Sequence, residues 1–198
     1  MRHRHGIDGF QLGVIKVARE QDEAVARACA QLRQRVFMET YGPLGLLSWP
    51  GEPDRFDLEA ALFTARQDGA LVGTAVLHHE DYDGQPFWHD RFGLTVPELV
   101  PSPHGKRIGE LGRVAVDKVA ATNPLEVATA LATRLGRAIA EAGIGPVIAV
   151  ALSVPMLAFY QDLVRRAGGR LDVHPRATPY AGLEVRYMVL HIDDTDYV

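Results

Sequence analysis

The stretch Ile108-Gly-Glu-Leu-Gly-Arg-Val-Ala-Val-Asp-Lys118 holds the two residues best suited to chemistry, Glu110 and Arg113. A carboxylate and a guanidinium this close can serve as a base and its anchor, or close on each other as a buried ion pair. On an ideal strand they face opposite sides, because side chains alternate with a period of two. Gly112 between them is a natural place for a β-bulge, which would bring both onto one face. Gly109 and Gly112 would also leave the backbone open to close approach by a ligand. Upstream, Asp54 and Asp57 flank Phe56. They could hold an ammonium group, pair with Arg33, or cap the backbone of a loop. Arg33 and Phe37 stand four apart, one helical turn. His78-His79-Glu80 has metal-ligand residue types, but adjacent strand residues face opposite ways and no third ligand has useful spacing. No metal is expected.

Other site classes find no residues to build them. There is no Gly-x-Ser-x-Gly elbow, no P-loop and no Gly-x-Gly-x-x-Gly following a strand. Cys29 is the lone cysteine, so an internal disulfide is excluded, and its place in a helical stripe suits a small core residue. The Phe159-Tyr160 pair reads as packing or, alternatively, as a hydroxyl at a pocket edge serving as proton donor.

Elements must position these groups. Gly13 to Ala18 reads as a first strand. A helix is expected from Asp22 to Tyr41, where Val25, Cys29, Leu32 and Val36 keep the spacing of one buried stripe and Arg33 and Phe37 stand near its edge. Gly42 to Arg55 has no period and reads as a loop. Ala61–Arg66 and Ala70–His78 form a hairpin through Asp68-Gly69. Glu80 to Lys106 is expected to be irregular, and Arg107 to Asp117 a central strand. The helix Pro124–Ala142 is the best signalled, with Asn123 as cap, Pro124 in its first position and Glu126 in its first turn. Val147–Leu152 is a buried strand, and Ser153 opens a helix ended by Gly168-Gly169. Glu184–Ile192 is the last strand, paired with Leu171–His174. The right-handed crossover rule makes the fourth and fifth strands parallel neighbours around the Pro124 helix.

The chain has 198 residues, 47% apolar and 23% charged, which fits one domain able to bury its own core. Acidic residues number 25 against 21 basic, a net charge of −4, so a general electrostatic grip on nucleic acid is excluded. Lys16, Lys106 and Lys118 are the only lysines; every other basic residue is Arg, the side chain suited to carboxylate and phosphate. The N-terminus lacks the apolar core of a signal peptide, and no apolar run is long enough to cross a bilayer. A cytoplasmic protein is expected.

The element order resembles that of the GNAT acyltransferases. Within it, the motifs resemble the acyl-homoserine-lactone (autoinducer) synthases and the related N-acyl amino acid synthases, over residues 10 to 192. Three blocks carry the resemblance: Leu32-Arg33-Gln-Arg-Val36-Phe37, Glu52-Pro-Asp54-Arg-Phe56-Asp57 and Glu110-Leu-Gly-Arg113-Val-Ala-Val116, with Asp68 to Leu77 between them. It implies an α/β fold, with a GNAT-like mixed central sheet flanked by helices and splayed between the fourth and fifth strands. A single domain over 1–198 is expected, with 1–9 a flexible tail.

The implied activity is N-acyl transfer. A long-chain acyl group moves from an acyl carrier protein or CoA thioester to the amine of an amino acid or similar small molecule. Autoinducer synthases carry Arg where Val76 stands and Trp near Pro43, in their acyl and S-adenosylmethionine pockets. Without those residues the resemblance favours another amine acceptor. A homoserine-lactone synthase, a CoA-dependent acetyltransferase and a non-catalytic binding module remain alternatives. No tightly bound cofactor is expected, since the thioester is a co-substrate.

Roles follow from the resemblance. Glu110 would be the base, with Arg113 holding Glu110 and Asp54 or binding the acceptor carboxylate. Asp54 and Asp57 would face the ammonium, and Arg33 and Phe37 would line the acceptor side. Backbone N–H groups at Val114 to Val116 would meet the oxyanion. Phe87, Trp88 and Phe92 would cover the acyl chain. Ordinary acetyl-CoA enzymes of this fold cradle pyrophosphate in a glycine-rich loop, where this chain has Val119-Ala-Ala-Thr-Asn123-Pro124. An acyl carrier protein is therefore the expected partner, with Arg134, Arg137, Arg165, Arg166 and Arg170 as candidates for its docking.

Overall fold

Asp22 opens the first helix by accepting from the N–H groups of Ala24 and Val25, which leaves Ile15–Glu20 as strand β1 and Glu23–Tyr41 as helix α1. A computed structural model describes residues 14–84, 94–151, 154–166, 169–180 and 183–192. The 3-10 turn Gly42–Leu44 and the short helix α2, Arg55–Glu59, follow. Next come β2 (Ala61–Gln67), β3 (Ala70–Asp81), α3 (Val96–Leu99) and β4 (Arg107–Val116). The remaining elements are α4 (Pro124–Glu141), β5 (Pro146–Ala151), α5 (Val154–Arg166), β6 (Arg170–Tyr180) and β7 (Leu183–His191).

The strands form one sheet in the order β1-β2-β3-β4-β5-β7-β6. Every neighbouring pair is antiparallel except β4 and β5, which run parallel around α4 as the crossover rule requires. That parallel pairing is short. Gly109, Glu110 and Leu111 pair with Val147, Ile148 and Ala149, yet β4 continues to Val116. The two strands part beyond Leu111, giving the expected splay.

Each face of the sheet has its own core. On one face Phe63, Leu77, Leu111, Val114 and Val147 pack beneath Leu131, Leu135 and Ile139 of α4 and Leu163 of α5. On the other, Leu32, Val36 and Phe37 of α1 meet Ala115, and Cys29 packs with Leu62 and Val76. Ile108, Ile148, Val185 and Tyr187 continue this face beneath Val96 and Leu99 of α3. Tyr160 belongs to the first core, buried among apolar side chains, and burial pushes its phenol well above the usual range. Among the described residues no helix is long and apolar enough to cross a membrane.

Several expectations need correcting. The stretch read as loop ends in α2, which a local cap creates: Asp54 accepts from the N–H of Asp57, and Asp57 accepts from the N–H of Asp54. Strand β3 runs to Asp81 rather than stopping at His78, because His79, Glu80 and Asp81 pair with Gly109, Ile108 and Arg107. Strand β6 reaches Tyr180, with an irregular register between Val173 and Ala177. Gly109 does not open onto a ligand: an added Cβ would stand 2.9 Å from Cγ2 of Ile144 and 3.1 Å from Cγ2 of Val147. Phe87, Trp88, Phe92, Ser153 and the expected tail 1–9 lie outside the described residues.

Candidate active site

The bulge in β4 decides which side chains meet. Val76 of β3 stands opposite Gly112 and Thr74 opposite Ala115, so Ala75 alone faces both Arg113 and Val114. Gly112 was the expected bulge position, but the left-handed residue is Arg113 itself, with φ of 56°. A non-glycine residue costs roughly 1 kcal/mol in that conformation, and ion pairs on its side chain offset the cost. The result is the one expected. Leu111 and Val114 join the core beneath α4, while Arg113 and Ala115 turn toward α1 and α2. Alternation from Leu111 puts Glu110 on that same α1–α2 face.

Arg113 lies at the centre of a charge cluster. Its Nη1 and Nη2 donate to Oδ1 and Oδ2 of Asp54 at 2.8 and 2.6 Å. Its Nη1 also stands 2.7 Å from Oδ2 of Asp57. The same Oδ2 accepts from Nη2 of Arg33 at 2.6 Å. The guanidinium carbon of Arg113 lies 4.9 Å from the centre of the Phe56 ring. Burial works against the charge on Arg113, but the bonds to Asp54 and Asp57 outweigh it and hold its pKa up.

Arg33 differs from its expected place at the edge of the stripe. It is 2% exposed, and burial pushes its pKa down, with Asp57 opposing and Arg113 adding to the push. Its Nε and Nη1 have no hydrogen-bond partner among the described residues. Arg33 lines a cavity of about 70 Å³ together with Trp49, Glu52, Asp54, Asp57 and Arg113. Phe37 stands one shell back, its ring 4.5 Å from that of Trp49 and perpendicular to it. The sequence offers Trp49 only as a substitute, by a different route, for the Trp that autoinducer synthases carry near Pro43, and it was not among the expected site residues.

Glu110 is buried, 1% exposed, at the apex of the wedge between β4 and β5. Its cross-strand partner on β3 is His78, whose ring lies 5.5 Å from that of Phe56. His79 points the other way, into a cleft with Phe63 and Arg134 of α4. Among the described residues no three His, Cys, Asp or Glu side chains gather as metal ligands would.

Four successive N–H groups of the loop from β4 to α4, those of Val119 to Thr122, are engaged within the protein. Val119 and Ala120 donate to Oδ1 of Asp117, each at 2.9 Å. Ala121 donates to the Asp117 carbonyl and Thr122 to Oε1 of Gln67. Asp117 is fixed in turn by Nη2 of Arg35 at 2.5 Å. Burial works to raise the Asp117 carboxyl, but the Ala120 N–H, Arg35 and the Val119 N–H outweigh it and hold its pKa below the usual range. The stability this carboxylate contributes is thus present above the ordinary Asp pKa of about 4 and is lost as pH falls through the lowered folded value. The Asp117 N–H bonds to Val72 of β3, so by strand alternation the Val116 N–H points toward the open side of the wedge. Of the arginines expected to dock a carrier, Arg134 pairs with Glu141, Arg165 with Asp162 and Arg170 with Asp172. Arg35 reaches the loop through Asp117, and Lys118 on the loop is exposed.

A seven-stranded sheet with a single parallel pair splayed around a crossover helix is the GNAT-like acyltransferase fold. Similar solved structures carry the enzymes whose motifs this chain resembles. FeeM, an N-acyl amino acid synthase from uncultured soil microbes, is 15% identical with a TM-score of 0.59 over 91% of this chain and 92% of that one. The AHL synthase LasI is 20% identical with a TM-score of 0.60 over 91% and 90%. A putative acetyltransferase from Salmonella typhimurium, solved with acetyl-CoA, is 15% identical with a TM-score of 0.55 over 93% and 96%. At these identities the likeness is one of fold. No protein-family pattern matches the chain, and no curated protein matches its sequence.

Proposed function

We propose that this protein is an N-acyltransferase that moves an acyl group from a carrier-bound thioester to the amine of a small molecule bearing a carboxylate, such as an amino acid. The observation that carries the reading is the position of Glu110, a carboxylate buried on the last paired stretch before β4 and β5 separate. In this fold the wedge is where a thioester's pantetheine arm can pair with an open strand edge. An acceptor ammonium must lose a proton before nitrogen can attack the carbonyl, and Glu110 is the base, acting directly or through water. The Val116 N–H supports the developing oxyanion, with Val114 shaping the same edge. Nitrogen then forms the amide bond, the carbon–sulfur bond breaks, and the thiolate takes a proton.

The acceptor is held by the charge cluster. The buried Nε and Nη1 of Arg33, without a partner among the described residues, suit a carboxylate, and Asp54, half exposed at the cavity wall, suits an ammonium. Trp49, braced by Phe37, supplies an apolar side. The small cavity fits the shared end of an amino acid and leaves its side chain outside.

The donor side favours a carrier protein over free CoA. A pyrophosphate needs donors, and the N–H groups of Val119 to Thr122 are already used by Asp117 and Gln67. The Asp117 carboxylate beneath the loop also repels phosphate. The test is turnover of a long-chain acyl–acyl carrier protein, the same acyl-CoA and acetyl-CoA against a panel of amino acids, read by thiol release and product mass. The carrier-bound donor is expected to exceed acetyl-CoA by about tenfold or more in kcat/KM, roughly 1.4 kcal/mol of transition-state binding. Faster turnover of acetyl-CoA would make the protein an ordinary acetyltransferase, and consumption of S-adenosylmethionine would make it a lactone synthase.

A further inference from the structure

Amide formation from an ammonium releases two protons. One goes to the departing thiolate; the other must reach solvent in every cycle. Glu110, which takes it, is 1% exposed and has no direct route out. Directly across the ladder stands His78, on the same face of the sheet. Opposed residues of an antiparallel pair hold their Cβ atoms about 5 Å apart, within the reach of a carboxylate and an imidazole. The His78 side chain is 26% exposed, and its Nε2 lies 3.5 Å from Oε2 of Glu80, itself 43% exposed. Buried carboxylate, half-buried imidazole and surface carboxylate thus lie in order from the wedge to water.

We propose that His78 is the proton exit of the active site, passing the proton from Glu110 to Glu80 and solvent. This rests on the reading of Glu110 as the base. Imidazole suits the task because it accepts on one ring nitrogen and donates from the other near neutral pH. The ring is held by Phe56, which also carries the Arg113 guanidinium, so acceptor site and exit share one aromatic support. The charged groups around it are Glu110 on β4, Glu80 and, on the opposite face, His79 on β3. On α2, which packs on this strand, Arg55 pairs with Glu59, and Asp57 with Arg33 and Arg113. His78 acts through Glu110 and is a positioning and relay residue.

His78→Gln keeps the size and polarity of the site but cannot carry the proton. Its kcat is expected to fall about tenfold, less than the full effect of a general base, while the acceptor KM stays within about twofold. Turnover of the variant should then rise with added imidazole buffer, which replaces the lost relay, whereas the wild type should not respond. His78→Asn, checked for folding by its thermal melt, repeats the measurement should Gln disturb the strand. Wild-type kcat in a folded variant, or a fall that imidazole does not restore, overturns the relay and leaves the acyltransferase reading intact. An independent measurement needs no substrate: at fixed pH the His78 ring signals in the NMR spectrum should move in Glu110→Gln, because the two side chains stand opposite each other on the ladder. Unchanged His78 signals overturn the coupling even if the protein proves to have another activity.

Discussion

Asp57→Asn is expected to lose about 3–5 kcal/mol of folding stability, the cost of leaving a buried charge without its counter-ion. The expectation is large because one oxygen serves two guanidinium groups: Oδ2 of Asp57 stands 2.6 Å from Arg33 and 2.7 Å from Arg113. Both cations are buried, and Arg33 has no other carboxylate in hydrogen-bond reach among the described residues. Urea unfolding measures the change. The double variant Arg33→Met, Asp57→Leu separates charge from shape, since removing both partners of a buried pair costs less than removing one. A loss below about 1 kcal/mol in Asp57→Asn would match a solvent-exposed pair and would contradict the buried cluster.

Glu110→Gln is expected to lower kcat by about a hundredfold or more while the protein stays folded, in line with the loss of a positioned general base. The amide preserves shape and hydrogen-bonding capacity but cannot accept the acceptor's proton. Acceptor KM should change little if the carboxylate and ammonium are held by Arg33 and Asp54. An acceptor with a less basic amine, already neutral at the assay pH, should recover part of the rate. Wild-type turnover in Glu110→Gln would remove the carboxylate from the mechanism and leave the wedge as a binding surface only.

What the sequence revealed of this site depended on the range of each signal. Helix α4 announced itself through Asn123, Pro124 and Glu126, a cap contained in one turn, and it stands where expected. The short α2 was hidden although Asp54 and Asp57 were noticed, because two Asp residues three apart serve loop caps, ligands and helix starts alike. The glycine at 112 correctly signalled a bulge, yet strand pairing with β3 set it at Arg113, since only the register of Val76 and Thr74 fixes which residue is extra. The burial of Arg33 was beyond local pattern. An arginine within an apolar stripe reads as an edge residue until its partner, 24 positions away, is seen to be buried with it. His78 was weighed as a metal ligand from its neighbours in sequence; its position opposite Glu110 comes from the sheet alone.

Helix α1 reaches both halves of the proposed site. Arg33 leaves it for the cavity proposed to hold the acceptor, and Arg35, two residues on, holds Asp117 beneath the loop on the proposed donor side. A movement of the helix that tightens Arg33 around a carboxylate would carry Arg35 with it and be felt at the loop. In kinetic terms this predicts substrate synergism: saturating acceptor should lower the KM for the donor. Initial-rate patterns should intersect, as for a ternary complex, and Arg35→Ala should move them toward independent binding of the two substrates.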